Sequence, residues 1–430
     1  MVDYLGITIL LGSFILLLIL RTPISFALLT SAILTSFYLK VPLMSVAVQM
    51  VKGIHSFSLL AIPFFILAGE IMGAGGISRR IIEFTNVLVG RVRGGLAQVN
   101  ILASMFFGGI SGSAIADVSS IGALLIPMMK DSGYDTDYAV DVTITSACQG
   151  LIIPPSHNMI IFAVSAGGVS VGQLFLGGML PGVLLGMALM IISYVIAVKR
   201  GYPKGAKISF KEAIKIASSA ILGLLTAVII IGGVIGGIFT ATESAAVACV
   251  YAFLISVFVY KELKLKDIYE IFKKSAVSSA VVLFVVSMSA PFGWFMTHEN
   301  MPTAIASSVL GMFDNKIILL LMINVILLFL GCFLETQSII LLVTPILVPI
   351  AASLGMSAVA LGIIIIINTS IGMITPPMAV NLFVASGIAN VSIGRISKRI
   401  LLYLGVEIAA LLVMTFIPGI ITWLPTVLGA

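Results

Sequence analysis

The sequence predicts an all-α polytopic membrane protein made of two inverted-topology repeats, each with a re-entrant helical hairpin and a broken transmembrane helix. Three observations carry this reading. Apolar residues make up 60% of the 430-residue chain and charged residues only 9%, at a mean hydropathy of +1.23. A soluble protein of this length cannot have that composition. A single offset of 222 residues aligns two parts of the chain, proline for proline and glycine for glycine. Finally, the lysines and arginines place the two halves upside down with respect to each other.

The offset is clearest at two Pro-Pro pairs. Gly150-Leu151-Ile152-Ile153-Pro154-Pro155 matches Gly372-Met373-Ile374-Thr375-Pro376-Pro377, and Phe107, Gly109, Pro127, Ala163, Val169, Ser170 and Gly172 match Phe329, Gly331, Pro349, Ala385, Val391, Ser392 and Gly394. Proline lacks an N–H and clashes one turn back, so each pair interrupts a helix. In lipid the freed backbone groups survive only where protein buries them or where they line a wet site. Interrupted helices at matching places in two halves point to a transporter's binding site.

The first repeat covers 1–215. Helices are expected over 4–20, 23–39 and 58–75, with amphipathic interfacial stretches at 43–57 and 77–92. Residues 94–130 are apolar but interrupted at Gly108–Ala114, and basic residues flank both ends, as in a hairpin that re-enters from one face. A broken helix at 138–165 and a long helix at 170–198 follow. The second repeat covers 216–430. It starts with helices at 217–236 and 243–260 and a separate basic interfacial stretch at 261–275. A helix at 276–297, an outer arm at 300–313, a hairpin at 316–354, a broken helix at 358–388 and a last helix at 397–417 complete it.

With both termini outside, 20 of the 23 lysines and arginines fall on the cytoplasmic side, all but Lys40, Lys52 and Lys316. That satisfies the positive-inside rule and inverts one half against the other. The first segment lacks a basic leader and a small-residue cleavage site, and reads as a retained helix. The net charge of +6 comes from loop residues, not from an aromatic-interleaved patch, so nucleic acid is not indicated. Cys148, Cys249 and Cys332 are isolated, which indicates neither a disulfide framework nor a metal centre. No phosphate loop, zinc motif or nucleophile elbow supports an enzyme.

Each hairpin tip is expected to face a break. Tip one offers Ser111, Gly112, Ser113 and Ala114; break one offers Thr145, Ser146, Gln149, Gly150, Ile153, Pro154, Ser156 and Asn158. Tip two offers Glu335, Thr336, Gln337 and Ser338; break two offers Asn368, Thr369, Ser370, Gly372, Thr375 and Asn381. Hydroxyl and unwound carbonyl oxygens suit Na⁺, and helix N-termini at the tips suit a carboxylate. Among intramembrane acids, Asp117 and Glu335 rank first because they lie at or near the tips. Glu243 reads as a helix cap, Glu70 and Glu407 as packing or interface residues, and His157 as structural.

Pro63-Phe64-Phe65-Ile66-Leu67-Ala68-Gly69-Glu70-Ile71-Met72, Gly237-Ile238-Phe239-Thr240-Ala241-Thr242-Glu243-Ser244, both Pro-Pro segments and the Ser111-Gly112-Ser113 tip together resemble the large membrane subunit of TRAP (tripartite ATP-independent periplasmic) transporters. The likeness covers essentially the whole chain; the usual pattern has proline where Ala241 stands. Divalent-anion symporters of the same superfamily carry Ser-Asn-Thr tips, unlike these.

The resemblance implies a small four-helix membrane subunit and a periplasmic substrate-binding protein as partners. It also implies Na⁺-driven uptake of an organic acid of C4-dicarboxylate or sialic acid type, and an elevator-like transport domain moving against a scaffold in the inner membrane, with no cofactor beyond the coupling ion. Sodium site one is then expected at Ser111, Ser113, Ala114, Ser146, Gly150, Ile153 and Pro154. Site two is expected at Glu335, Thr336, Asn368, Thr369, Gly372 and Thr375, and the substrate at Ser113, Asp117, Asn158, Thr336 and Asn381. The rival readings are a binding-protein-independent Na⁺/organic anion symporter of the same superfamily and a channel.

Overall fold

The computed structural model describes residues 4–312, 315–376 and 380–429. Among them every regular element is helical, apart from one antiparallel bridge between Arg93 and Lys204.

In the first half, α1 (Tyr4–Ile19) and α2 (Ile24–Tyr38) pack together across a tight reversal. Arg21 makes it with a left-handed φ of 62°, and Pro23 starts α2. The amphipathic arm α3 (Leu43–Ile54) buries only Val46 within the chain. A 3₁₀ turn, Phe57–Leu60, leads into α4 (Ala61–Ala74), and Gly76, at φ 77°, opens the second arm, α5 (Ile77–Val89). The first hairpin is α6 (Gly95–Ser111), the short α7 (Ala114–Asp117), a π-helical turn at Val118–Gly122, and α8 (Ala123–Asp131). The first interrupted helix is α9 (Thr136–Gln149) with α10 (His157–Ser165), and α11 (Val171–Lys199) closes the half.

The second half begins with α12 (Phe210–Ile235), α13 (Ala241–Leu254), which runs into a π turn, and α14 (Leu265–His298). The arm α15 (Met301–Met312) precedes the second hairpin, α16 (Lys316–Gly331) and α17 (Thr336–Ser353). Then come α18 (Ala358–Gly372), α19 (Val380–Ala389), α20 (Ile393–Arg399), α21 (Leu401–Phe416) and α22 (Gly419–Val427).

Among the described residues, six helices are long and apolar enough to cross a membrane, or seven if α20 and α21, bent by 52°, count as one span. With 16 and 15 residues, α1 and α2 fall short of that length. At 1.5 Å per residue each covers roughly 23 Å, against a hydrocarbon core of about 30 Å.

Three boundaries differ from the sequence reading. The basic stretch expected at 261–275, from Leu265 onward, and the helix expected at 276–297 form one continuous 34-residue helix, α14. No proline or glycine separates them, and the lysines on its exposed face leave the helical ladder intact. The helix expected from 217 starts at Phe210, because Ser209 Oγ accepts the Glu212 N–H and nucleates it earlier. The last helix starts at Ile393 and bends before Leu401. The cap expected at Glu243 is present: Thr240 N–H donates to Glu243 Oε2 at 2.8 Å, and Glu243 N–H donates to Thr240 Oγ1 at 3.2 Å.

At the centre of the molecule lie α9 and α18, buried along almost their whole length. The hairpins, α11 and α21 surround them, while α1 to α4 and α12 to α14 form an outer layer. The two halves are pinned together at the base of α9. Asp137, whose side chain is 1% exposed, lies 3.0 Å from Arg395 Nε and 3.4 Å from Arg399 Nε. Either arginine alone still neutralises the buried acid, whereas losing both strands it. Arg395→Ala and Arg399→Ala are each expected to cost under about 1 kcal/mol, and the double variant about 3 kcal/mol, more than the sum. Thermal unfolding of the purified complex reads this; simple additivity would show that the pair does not share the acid.

Candidate functional site

Two backbone approaches seat each hairpin on a break. A Cβ built on Gly108 would fall on the Cα of Gly150. In the second half, a Cβ on Gly331 would stand 2.9 Å from Gly372 Cα and 3.1 Å from the Thr369 carbonyl oxygen. Any side chain would separate these helices, so glycine is required at both contacts.

The breaks supply oxygen atoms. After α9, the N–H groups of Ile152 and Ile153 both donate to the Gln149 carbonyl, at 2.9 and 3.1 Å. The chain cannot continue as a helix through Pro154-Pro155, whose peptide is cis. Among the described residues, the carbonyls from Gly150 to Pro155 accept no hydrogen bond, although this segment is mostly buried. After α18, Ile374 N–H donates to Ile371 and Thr375 N–H to Gly372, at 3.2 and 2.9 Å. The carbonyls of Ile374, Thr375 and Pro376 accept no hydrogen bond among the described residues. Pro377 lies outside them.

Buried amides tie each break to its hairpin. Ser146 Oγ lies 3.0 Å from the Thr143 carbonyl, 3.2 Å from Ser104 Oγ and 3.3 Å from Asn100 Oδ1. At the equivalent position of the second half, Asn368 Nδ2 donates to Asn324 Oδ1 at 2.8 Å and to the Asn324 carbonyl at 3.1 Å. Asn368 Oδ1 is buried without a hydrogen-bond partner. The hydroxyls of Thr369 and Thr375 donate one turn back within α18, at 2.8 Å each, which leaves their lone pairs as acceptors. Where α9 meets α18, Cys148 Sγ lies 3.1 Å from the Ser370 carbonyl oxygen. These two positions correspond under the 222-residue offset.

At the tips, Gly112 turns the chain with φ 61°, and Ser113 caps α7 by accepting the Ala116 N–H at 3.3 Å. Ser111 contributes the last backbone turn of α6, and Ala114 begins α7. Residues Cys332–Glu335 form the second tip, and Thr336 opens α17 with its hydroxyl 3.4 Å from Met373 Sδ. Between the two tips is a space of only 40 Å³, lined by Ser113, Ala114, Leu151, His157, Asn158, Glu335, Thr336, Gln337 and Met373.

Of the expected substrate residues, Ser113, Asn158 and Thr336 line this space together. The other two substrate candidates do not line that space. Asp117 is 1% exposed, its carboxylate facing the interior. Asn381 is also fully buried, with Nδ2 3.7 Å from Cys148 Sγ.

A larger cavity of 730 Å³ reaches the same tips from one side. Glu70 and Gly73 of α4, Ser119 and Ser120 of the first hairpin, and Asp267, Glu270 and Lys274 of α14 line its walls, with Ser113, His157 and Gln337 at its end. A second cavity of 600 Å³ lies between the far end of α14, including Trp294 and Thr297, and α17 at Pro345 and Pro349.

Some functional candidates were not singled out from sequence. Asn100 and Asn324 do not correspond under the 222-residue offset, so the repeat hid them; an amide in an apolar hairpin helix was the available signal. His157, read as structural, lines both spaces at the tips. Glu70, read as a packing residue, stands in a cavity wall. Glu407 is fully buried, and neither carboxylate oxygen has a hydrogen-bond partner.

Residues 11–420 match the family described as the tripartite ATP-independent periplasmic transporter, DctM component. The chain is 43% identical over 355 residues to the sialic acid TRAP transporter large permease protein SiaM of Vibrio cholerae, covering 83% of each. It is 37% identical over 435 residues to the C4-dicarboxylate large permease protein DctM of Rhodobacter capsulatus, covering 98% of this chain and 99% of that one. Against the isethionate TRAP transporter permease protein DctMQ of Oleidesulfovibrio alaskensis it is 41% identical over 421 residues, spanning 97% of this chain but 66% of the relative. The fold resembles that of the Alcanivorax borkumensis YdaH transporter, with a TM-score of 0.64 at 14% identity, covering 87% of this chain and 89% of that one.

Proposed function

Because the chain belongs to the DctM-component family of TRAP transporters, and so is the large membrane subunit of a transporter, we propose that it performs Na⁺-coupled uptake of an organic acid across the inner membrane. A periplasmic binding protein delivers the substrate, and a small membrane subunit braces the arms and outer helices. Related permeases are named for C4-dicarboxylates, sialic acid and isethionate. The shared feature of those substrates is a compact anionic head with several acceptor oxygens.

The observation that carries the reading is the pair of breaks. Each presents carbonyls released by a Pro-Pro pair, a backbone-close hairpin tip and a buried Ser or Asn tie, set about the Cys148–Ser370 contact. Hard neutral oxygens in a closed shell suit Na⁺. Site one draws on Ser111, Ser113, Ala114, Ser146, Gly150, Ile153 and Pro154. Site two draws on Glu335, Thr336, Asn368, Thr369, Gly372 and Thr375. Each ion would screen the anion placed between the tips. The matching order of elements in the two halves and the sidedness of the basic residues support inverted repeats.

The 730 Å³ cavity includes Asp267, Glu270 and Lys274, which lie in the basic stretch from Lys261 to Lys274. It therefore opens toward the cytoplasm, and this arrangement is the inward-facing one. In an elevator cycle the hairpins and broken helices travel as a body along the outer layer, trading that cavity for the one on the other face. Ser113→Trp or Thr369→Trp is expected to abolish Na⁺-dependent uptake in the complex reconstituted with its small subunit and binding protein. Undiminished uptake by both variants would overturn the site assignment.

A further inference from the structure

The 40 Å³ space between the tips and the 730 Å³ cavity share three wall residues: Ser113, His157 and Gln337. Two of them are bonded to each other. Gln337 Nε2 lies 3.0 Å from His157 Nε2. His157 stands at the start of α10, just past the first break, and Gln337 is in the first turn of α17 behind the second tip. Their bond thus bridges the two halves. His157 is only 4% exposed, and its Nδ1 has no hydrogen-bond partner among the described residues. The ring is wedged against the first tip: a Cβ on Gly112 would stand 2.7 Å from His157 Nδ1.

Volume decides what this arrangement permits. A space of 40 Å³ holds about one water, whose share of liquid volume is about 30 Å³. An organic acid needs more room than that, so the space must widen to admit one. We propose, resting on the reading of the tips as the substrate site, that His157 and Gln337 are substrate-positioning residues. In the empty site they hold each other as a partition, and an entering or leaving anion exchanges that mutual bond for its own oxygens. The chemistry suits the exchange. Gln337 has two N–H donors, and neutral His157 has one N–H donor whichever nitrogen carries it. Asn158 and Thr336 add donors from behind the partition. The site has no lysine or arginine, so these neutral donors supply the recognition of an anion with several acceptor oxygens.

The partition is tested by thiol labelling. Asn158, 1% exposed, lines only the inner space, whereas Ser119 lines only the large cavity. Asn158→Cys and Ser119→Cys are made separately in the full complex and treated with a charged, membrane-impermeant methanethiosulfonate in inside-out and right-side-out vesicles. The parent chain, whose Cys148, Cys249 and Cys332 are buried, gives the background. Ser119→Cys is expected to label from the cytoplasmic face, and Asn158→Cys slowly. Adding Gln337→Ala or Gln337→Leu is expected to speed labelling of Asn158→Cys at least about fivefold, the population change worth one lost hydrogen bond, and to leave Ser119→Cys unchanged. The leucine variant keeps the bulk of Gln337, and unchanged labelling of Ser119→Cys shows that either variant has folded. Equal labelling of Asn158→Cys with Gln337 intact or replaced overturns the partition. Labelling of Ser119→Cys only from the periplasmic face overturns the inward-facing reading instead, and the Asn158→Cys ratio is then read from that face. No labelling of Ser119→Cys from either face overturns both.

Discussion

Valine at Gly150 is expected to reduce Na⁺-driven uptake at least about a hundredfold. The new side chain has nowhere to go, because the space a Cβ would take at this contact is already filled by the backbone of Gly108. Backbone cannot rotate aside as a side chain does, so the first hairpin must move off the break. Overpacking of this kind costs about 1–3 kcal/mol, and here the strain falls on the carbonyls proposed to hold an ion. A hundredfold loss corresponds to about 2.7 kcal/mol, within that range. Gly405→Val is the control: that glycine is exposed on α21, and a Cβ there meets nothing within 4 Å. Uptake of the reconstituted complex in a Na⁺ gradient makes the comparison. Equal activity of the two variants would mean that the close approach has no part in ion binding.

The second large effect is a difference between the two halves. Asn368→Ala removes two bonds to Asn324, at 2.8 and 3.1 Å, and leaves Asn324 Oδ1 with only the 3.5 Å contact of Thr415 Oγ1, at a cost of about 2 kcal/mol. Ser146→Ala removes less, because Ser146 meets Asn100 through a single 3.3 Å contact. The Na⁺ concentration for half-maximal uptake should therefore rise about tenfold or more for Asn368→Ala and only about threefold for Ser146→Ala. Equal shifts would show that the asparagine pair does not shape the second site.

The large features of this fold were legible because they depend on covalent facts. A proline pair behind a glycine breaks a helix wherever it occurs, and long apolar runs read as spans without any packing detail. The helices and the two breaks followed from those two signals. Detail set by tertiary contact was not legible. Nothing local marks Asn324 as the partner of Asn368, 44 residues on, or sets Gln337 beside His157 across 180 residues. Asp117 shows the limit from the other side. Its position near a tip made it a substrate candidate, but α7 packs against α6, α9 and α19, and that tertiary packing buries the carboxylate in the interior. The division of 261–297 into a surface stretch and a span failed for a related reason. Charge marks the water boundary, whereas helix continuity depends only on the backbone ladder.

That unbroken α14 has a consequence of scale. Residues 267–282 contribute to one cavity and 286–297 to the other, so a single rod forms a wall of both. The centres of those two segments are roughly 17 residues apart, or about 25 Å along the rod at 1.5 Å per residue. From Leu265 to Ala290 the helix contains no proline or glycine and serves as a ruler, while Pro291 falls inside the second segment. In the elevator cycle proposed above, the stroke of the moving body would be bounded by about that length, whatever the substrate. Changing the stroke would require adding or removing turns of α14, while changes at the tips would alter only what is carried.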